Sequence, residues 1–112
     1  MTAGQPVKLG AALERLATDL PGATATTTGP TSTWMLGGTP FAIVEGGSVD
    51  LRLDAAVAAA ALKTPETARS ERGPEWVRYA PLTLEGHDLD RLVAWFALAH
   101  RRAGQSAARA PT

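Results

Sequence analysis

The chain has 112 residues, with eleven basic and eleven acidic side chains and no cysteine. That length supports one domain with a single core. The balanced charge offers no broad attraction to nucleic acid or an anionic membrane. The lack of thiols removes disulfides, thiolate nucleophiles and cysteine metal sites together. Imidazole comes only from His87 and His100, which excludes a histidine-rich metal centre, and the reading includes no metal or cofactor. No window approaches the roughly 20 apolar residues of a spanning helix. Met1–Pro6 lacks the charged leader and apolar run of a signal peptide. The expectation is a soluble cytoplasmic protein with no membrane partner.

Residues 1–6 read as a flexible leader. From Val7 to Leu20, the set Leu9, Ala12, Leu13, Leu16 and Leu20 recurs at helical spacing, with Glu14, Arg15 and Asp19 opposite. Pro21-Gly22 stops that helix. Ala23 to Thr28 is threonine-rich and suits an edge strand, because β-branched side chains fit the pleat. After a Gly29-Pro30 turn, Thr33-Trp34-Met35-Leu36 makes a short strand, and Gly37-Gly38 turns the chain into Phe41. Phe41 to Leu53 then forms a hairpin about Gly46-Gly47, in which Val49, Leu51 and Leu53 alternate with Ser48, Asp50 and Arg52. Period-two alternation marks a sheet with one buried and one wet face.

Asp54 is placed to cap a helix over Ala55–Leu62, and Thr64-Pro65-Glu66 restarts helix or turn. Ser70 to Pro74 is a charged loop, and Trp76 to Leu84 is one strand or two broken at Pro81. In the closing helix Leu89, Leu92, Val93 and Phe96 make the buried stripe. Gly104 ends that helix, and residues 104–112 are a disordered tail. The single domain therefore spans 7–103. Its expected class is α+β, an antiparallel sheet of four to five strands with N-terminal and C-terminal helices packed on one face.

The Phe41-Ala42 pair, the glycine turn, Asp50-Leu51-Arg52-Leu53, the charged loop, Glu75-Trp76-Val77-Arg78 and the closing helix together resemble the small luciferase-type domain. That family is common in actinobacteria and is related to the luciferase of bioluminescent fungi. The likeness covers roughly residues 9–103. It implies this fold and raises a cofactor-independent oxygenase acting on an aromatic or pyrone substrate. The family often places histidines just after its Phe-Ala pair, whereas Ile43 and Glu45 stand there in this chain. Chemistry resting on those imidazoles loses its basis here. A second likeness, in element order, is to the double-wing proteins of the MmcQ/YjbR type, which implies nucleic-acid binding through a wing hairpin. Near-zero net charge and the absence of a basic cluster speak against that reading.

No nucleophile–base pair, metal cluster or phosphate loop can be assembled. Gly37-Gly38 and Gly46-Gly47 lack the following lysine and helix that a phosphate loop needs. The catalytic residues are therefore unassigned. The first reading is a ligand- or protein-binding module, with Trp34, Phe41, Arg52, Trp76 and Tyr79 as candidate ligand-binding residues for an apolar or aromatic small molecule. Trp34, Phe41 and Tyr79 would line a pocket between sheet and helices. Arg52 would bind a carboxylate or enolate oxygen, or else stand as a surface cation. Arg69 and Arg72, flanking the loop before Trp76, would grip an anion or lie solvated. Each tryptophan is also the kind of side chain that anchors a core. Adjacent residues on a helix do not face one another, so His87-Asp88 is no base pair; His100 reads as structural. Trp95, about 100° from Phe96 on the helical wheel, is expected off the buried stripe, where it would pair two subunits as a homodimer or be covered within one chain by the first helix or the leader.

Overall fold

The computed structural model describes residues 9–81 and 85–109. The leader at 1–6 and the continuation of the last strand through residues 82–84 lie outside the described residues. The element order is α1 (Leu9–Ala17), β1 (Ala23–Thr28), β2 (Thr31–Leu36), β3 (Thr39–Glu45), β4 (Ser48–Arg52), α2 (Ala55–Ala61), β5 (Thr67–Arg69), β6 (Trp76–Tyr79) and α3 (Gly86–Arg109). The six strands form one antiparallel sheet in the order β1-β2-β3-β4-β6-β5. The class is α+β, with one strand more than the sequence reading. The extra strand is β5, whose three residues are too few to display an alternation.

β1 to β4 make a meander joined by two-residue turns at Gly29-Pro30, Gly37-Gly38 and Gly46-Gly47. Gly37 and Gly38 adopt φ +57° and +81°, the left-handed pair that a tight hairpin needs and that glycine tolerates without steric cost. The register places Ala42, Val44, Val49, Leu51, Val77 and Tyr79 on one face, and all six are buried. Ile43, Asp50, Arg52, Trp76 and Arg78 occupy the other face.

Phe41 would belong to the outer face by simple alternation, yet it is fully buried beside Ala42. The pairing explains this. Trp34 opposes Ala42 and Met35 opposes Pro40, so Phe41 is an extra residue opposite β2. Such a bulge breaks the alternation and turns both neighbours inward.

The core joins this face to all three helices through Leu9 and Leu13 of α1, Ala58 and Ala61 of α2, and Leu92, Phe96, Ala99 and Ala103 of α3. The buried stripe of α3 is rotated from the expected one: Leu89 and Val93 are 36% and 41% exposed, while Ala99 and Ala103 are buried. The rotation lays Trp95 edge-on against Tyr79 at 5.0 Å between centroids. An indole covers more apolar surface than a valine or leucine, so the helix settles with the larger side chain half-buried. The expected exposed tryptophan is thus a packed one. The helix also runs past Gly104 to Arg109. Gly104 lies inside the helix, facing Leu36 of the sheet, and does not end it.

Candidate functional site

Of the five residues singled out for ligand binding, three sit in the core. Trp34 meets Phe96 edge-on at 5.8 Å, and Phe41 lies 5.5 Å from Phe96 and 5.6 Å from the His100 ring. His100 Nε2 lies 2.8 Å from the Pro21 carbonyl oxygen, tying α3 to the α1–β1 junction in a structural role. Tyr79 is fully buried and donates its hydroxyl to Asp88. Arg52 lies 3.6 Å from Glu75. Trp76 borders open space, and it faces Arg52 across the β4–β6 ladder. Ile43 and Glu45 stand on the outer sheet face, away from the helices. Ile43 neighbours Asp50 in the ladder, and Glu45 accepts from the Thr31 hydroxyl.

The open space at Trp76 is a cleft of about 380 Å³ lined by Ala55 and Ala59 of α2, by Leu62 at its C-cap and by Arg69, Ser70, Gly73, Pro74 and Trp76. Its existence follows from composition. Ala55, Ala59 and Leu62 fall on one helix face at i, i+4 and i+7, and two methyl groups leave room that larger side chains would fill. Ala58 and Ala61, on the adjoining face, let the helix sit down on the core. The end of α2 is fastened to the sheet edge by hydroxyls. Thr64 and Thr67 both donate to the Ala61 carbonyl, at 2.6 and 2.9 Å, and Thr67 also reaches the Thr64 carbonyl. Asp54 occupies the N-cap position without a capping hydrogen bond; its carboxylate accepts from Arg102 instead.

The opposite wall is the loop between β5 and β6, held from several sides. The Ser70 N–H donates to the Trp76 carbonyl and the Trp76 N–H to the Gly73 carbonyl. Ser70 Oγ accepts the Arg72 N–H. Arg72 Nε and Arg78 Nε then donate to Asp50 at 2.8 and 2.9 Å. Although Asp50 stands on the outer face, its residue is only 3% exposed, because these side chains and the loop cover it. Burial opposes its charge, but the hydrogen bonds from Arg78 and Arg72, the attraction of Arg78 and the Ser70 hydroxyl prevail. They hold the carboxyl below its ordinary range. At the far end of the loop Arg102 hydrogen-bonds Glu75 and, with Arg52 adding attraction, keeps that carboxyl ionised to lower pH than usual.

Both ends of the loop are therefore fixed before any ligand arrives. Arg69, an exposed residue of the cleft lining, makes no ion pair among the described residues. A largely apolar trough with an arginine in its lining can take an apolar or aromatic body and hold an anionic group. The sequence reading singled out Trp76 and Arg69 but missed the alanine face of α2, whose i, i+4 spacing was the available signal. It gave Asp50 no partner, and the arginines on Asp50 come from 22 and 28 positions further along.

Among the described residues no group of three or more His, Asp or Glu side chains is placed to hold a metal ion, and no helix is long and apolar enough to cross a membrane. Comparison with family models, with curated proteins and with solved structures gave no match.

Proposed function

We propose that the protein is a small-molecule binding module whose ligand places an apolar or aromatic body between α2 and Trp76 and an anionic group, such as a carboxylate, on Arg69. The observation that carries this reading is the pre-built cleft of about 380 Å³ with an alanine wall and, in its lining, an arginine that has no ion pair among the described residues. Its walls are already fastened by Asp50, Ser70 and the Ala61 carbonyl, so little ordering cost opposes binding. The oxygenase alternative rests on the luciferase-type resemblance; its oxyanion group, Arg52, is engaged by Glu75. A wing-type nucleic-acid role asks for unpaired cations along a hairpin, and Arg52, Arg72, Arg78, Arg91 and Arg102 each face a carboxylate.

The test is a thermal-shift panel of aromatic and fatty carboxylates, with the matching alcohols as controls. Any ligand that binds only the folded chain stabilises it by about 2.7 kcal/mol at a hundredfold excess over Kd. A carboxylate hit is expected to lose its shift in Ala59→Leu, which fills the trough, and to weaken about tenfold or more in Arg69→Gln. If no carboxylate raises the midpoint, or if Ala59→Leu responds like the wild type, the reading fails.

A further inference from the structure

The two edges of the sheet are built differently. β5 is three residues long, begins beside Glu66 and ends on Arg69. β1 is six residues, Ala-Thr-Ala-Thr-Thr-Thr, with no charge, no proline and no register break against β2, and Thr24 to Thr28 are all exposed. Natural edge strands are normally blunted by charge, proline, a bulge or shortness. β5 carries two of these devices and β1 none.

The phase of the β1 ladder can be read from its turn. The two-residue loop Gly29-Pro30 makes Thr28 and Thr31 a hydrogen-bonded pair, and alternation extends this to Thr26 with Thr33 and Thr24 with Met35. Ala25 and Thr27 therefore turn their N–H and C=O groups away from β2. Ala23 shares that phase, and its N–H does leave the sheet, donating to the Leu20 carbonyl at 3.3 Å. Beyond it, among the described residues, the outward backbone groups of Ala25 and Thr27 have no protein partner.

We propose that β1 is a self-association edge: two copies of the chain pair through antiparallel β1 strands about a two-fold axis, joining their six-stranded sheets into one. The occupant is argued from charge and symmetry. In an antiparallel pair about a two-fold axis the residue on the axis faces its own copy and its neighbours face one another across it, so a charge near the axis would meet the same charge. β1 sets threonine against threonine or alanine, and the chain's formal net charge is zero, so no long-range repulsion keeps copies apart. Threonines on the outer face of both strands would form a continuous β-branched ladder, a favourable cross-strand pairing. This surface is separate from the cleft, and its test does not depend on the ligand.

Light scattering over a concentration series is expected to give a mass twice that of one chain. Thr26→Lys, which sets a charge in the middle of the joint, should halve that mass while the circular dichroism is unchanged. Ala25→Pro should do the same, since it deletes only an N–H that β2 does not use. Val93→Lys, on the exposed ridge of α3, should remain a dimer. A wild-type monomer at every concentration overturns the proposal, as does a dimer that survives Thr26→Lys or is lost in Val93→Lys. Should Thr26→Lys fail to fold, amide exchange of the wild type decides. Slowing at Ala25 and Thr27 on concentration supports the joint, and unchanged rates there overturn it.

Discussion

Tyr79 and Trp95 lock the far side of the core: their rings meet edge-on at 5.0 Å, and the buried phenol donates a hydrogen bond to Asp88. Burial, then the neighbouring Asp88 charge, pushes the phenol up to about 12 from an ordinary 10.0. Because the folded value exceeds the unfolded one, this contribution is complete below pH 10 and is lost as pH rises towards 12. Tyr79 is the single tyrosine of the chain, so phenolate absorbance reports it alone. The expected titration has its midpoint near 12 in the folded protein and near 10 in denaturant. A folded midpoint near 10 would mean that the ring is in water.

Asp50 carries the opposite sign. Its folded pKa lies below the ordinary 3.8, so its contribution is complete above that value and disappears as pH falls through the folded one. Asp50→Asn is expected to cost about 1.5–3 kcal/mol at neutral pH, the usual range for hydrogen bonds to a charged group. The variant should also show a flatter loss of stability in acid. Denaturant midpoints measured from neutral pH down to acid check both. Because Asp50 fastens Arg72, the amides of residues 70–73 and 75 should exchange faster in this variant.

Helix register is tested by two substitutions three residues apart. Phe96 touches both Trp34 and Phe41, and Phe96→Ala is expected to cost about 3–5 kcal/mol. Val93 is 41% exposed, and Val93→Ser should change stability by no more than about 0.5 kcal/mol. Urea unfolding of both variants distinguishes this rotation from one that buries Val93.

Gly22 links α1 to β1 at φ +78°, and a Cβ there would stand 2.8 Å from Leu36 Cδ1. Both the backbone and the space disfavour a side chain, so Gly22→Ala should destabilise by more than about 1 kcal/mol. Gly29→Ala meets no neighbouring atom, though its φ is also positive, and should cost less. Melting temperatures of the two variants check the order.

Much of the sheet was legible because it is local. The alternation over Val49, Leu51 and Leu53, together with three tight turns, declares β1 to β4 in the order in which they pair. What escaped was written across the chain. The Phe41 bulge depends on how β2 meets β3, and β5 is recognisable only beside β6. The rotation of α3 follows from where Tyr79 leaves room for Trp95. The cleft was hidden for a related reason: alanines on α2 look like helix propensity until the β5–β6 loop stands opposite them. The burial of Asp50 depends on Arg72 and Arg78 arriving from a distant hairpin.

The placement of β6 between β4 and β5 bears on the order of assembly. β1 to β4 close through two-residue turns, whereas β6 reaches β4 only after the chain has traced α2 and β5. Longer closures cost more entropy and slow folding, so the meander should form first, with one side of β4 unpaired. In that intermediate stage the Asp50 carboxylate still faces water. Its two arginines travel on the same β5–β6 hairpin that later covers it, so the charge leaves water as its partners arrive. The ion cluster thereby acts as a latch on the last hairpin to dock, which is also the hairpin that supplies one wall of the cleft.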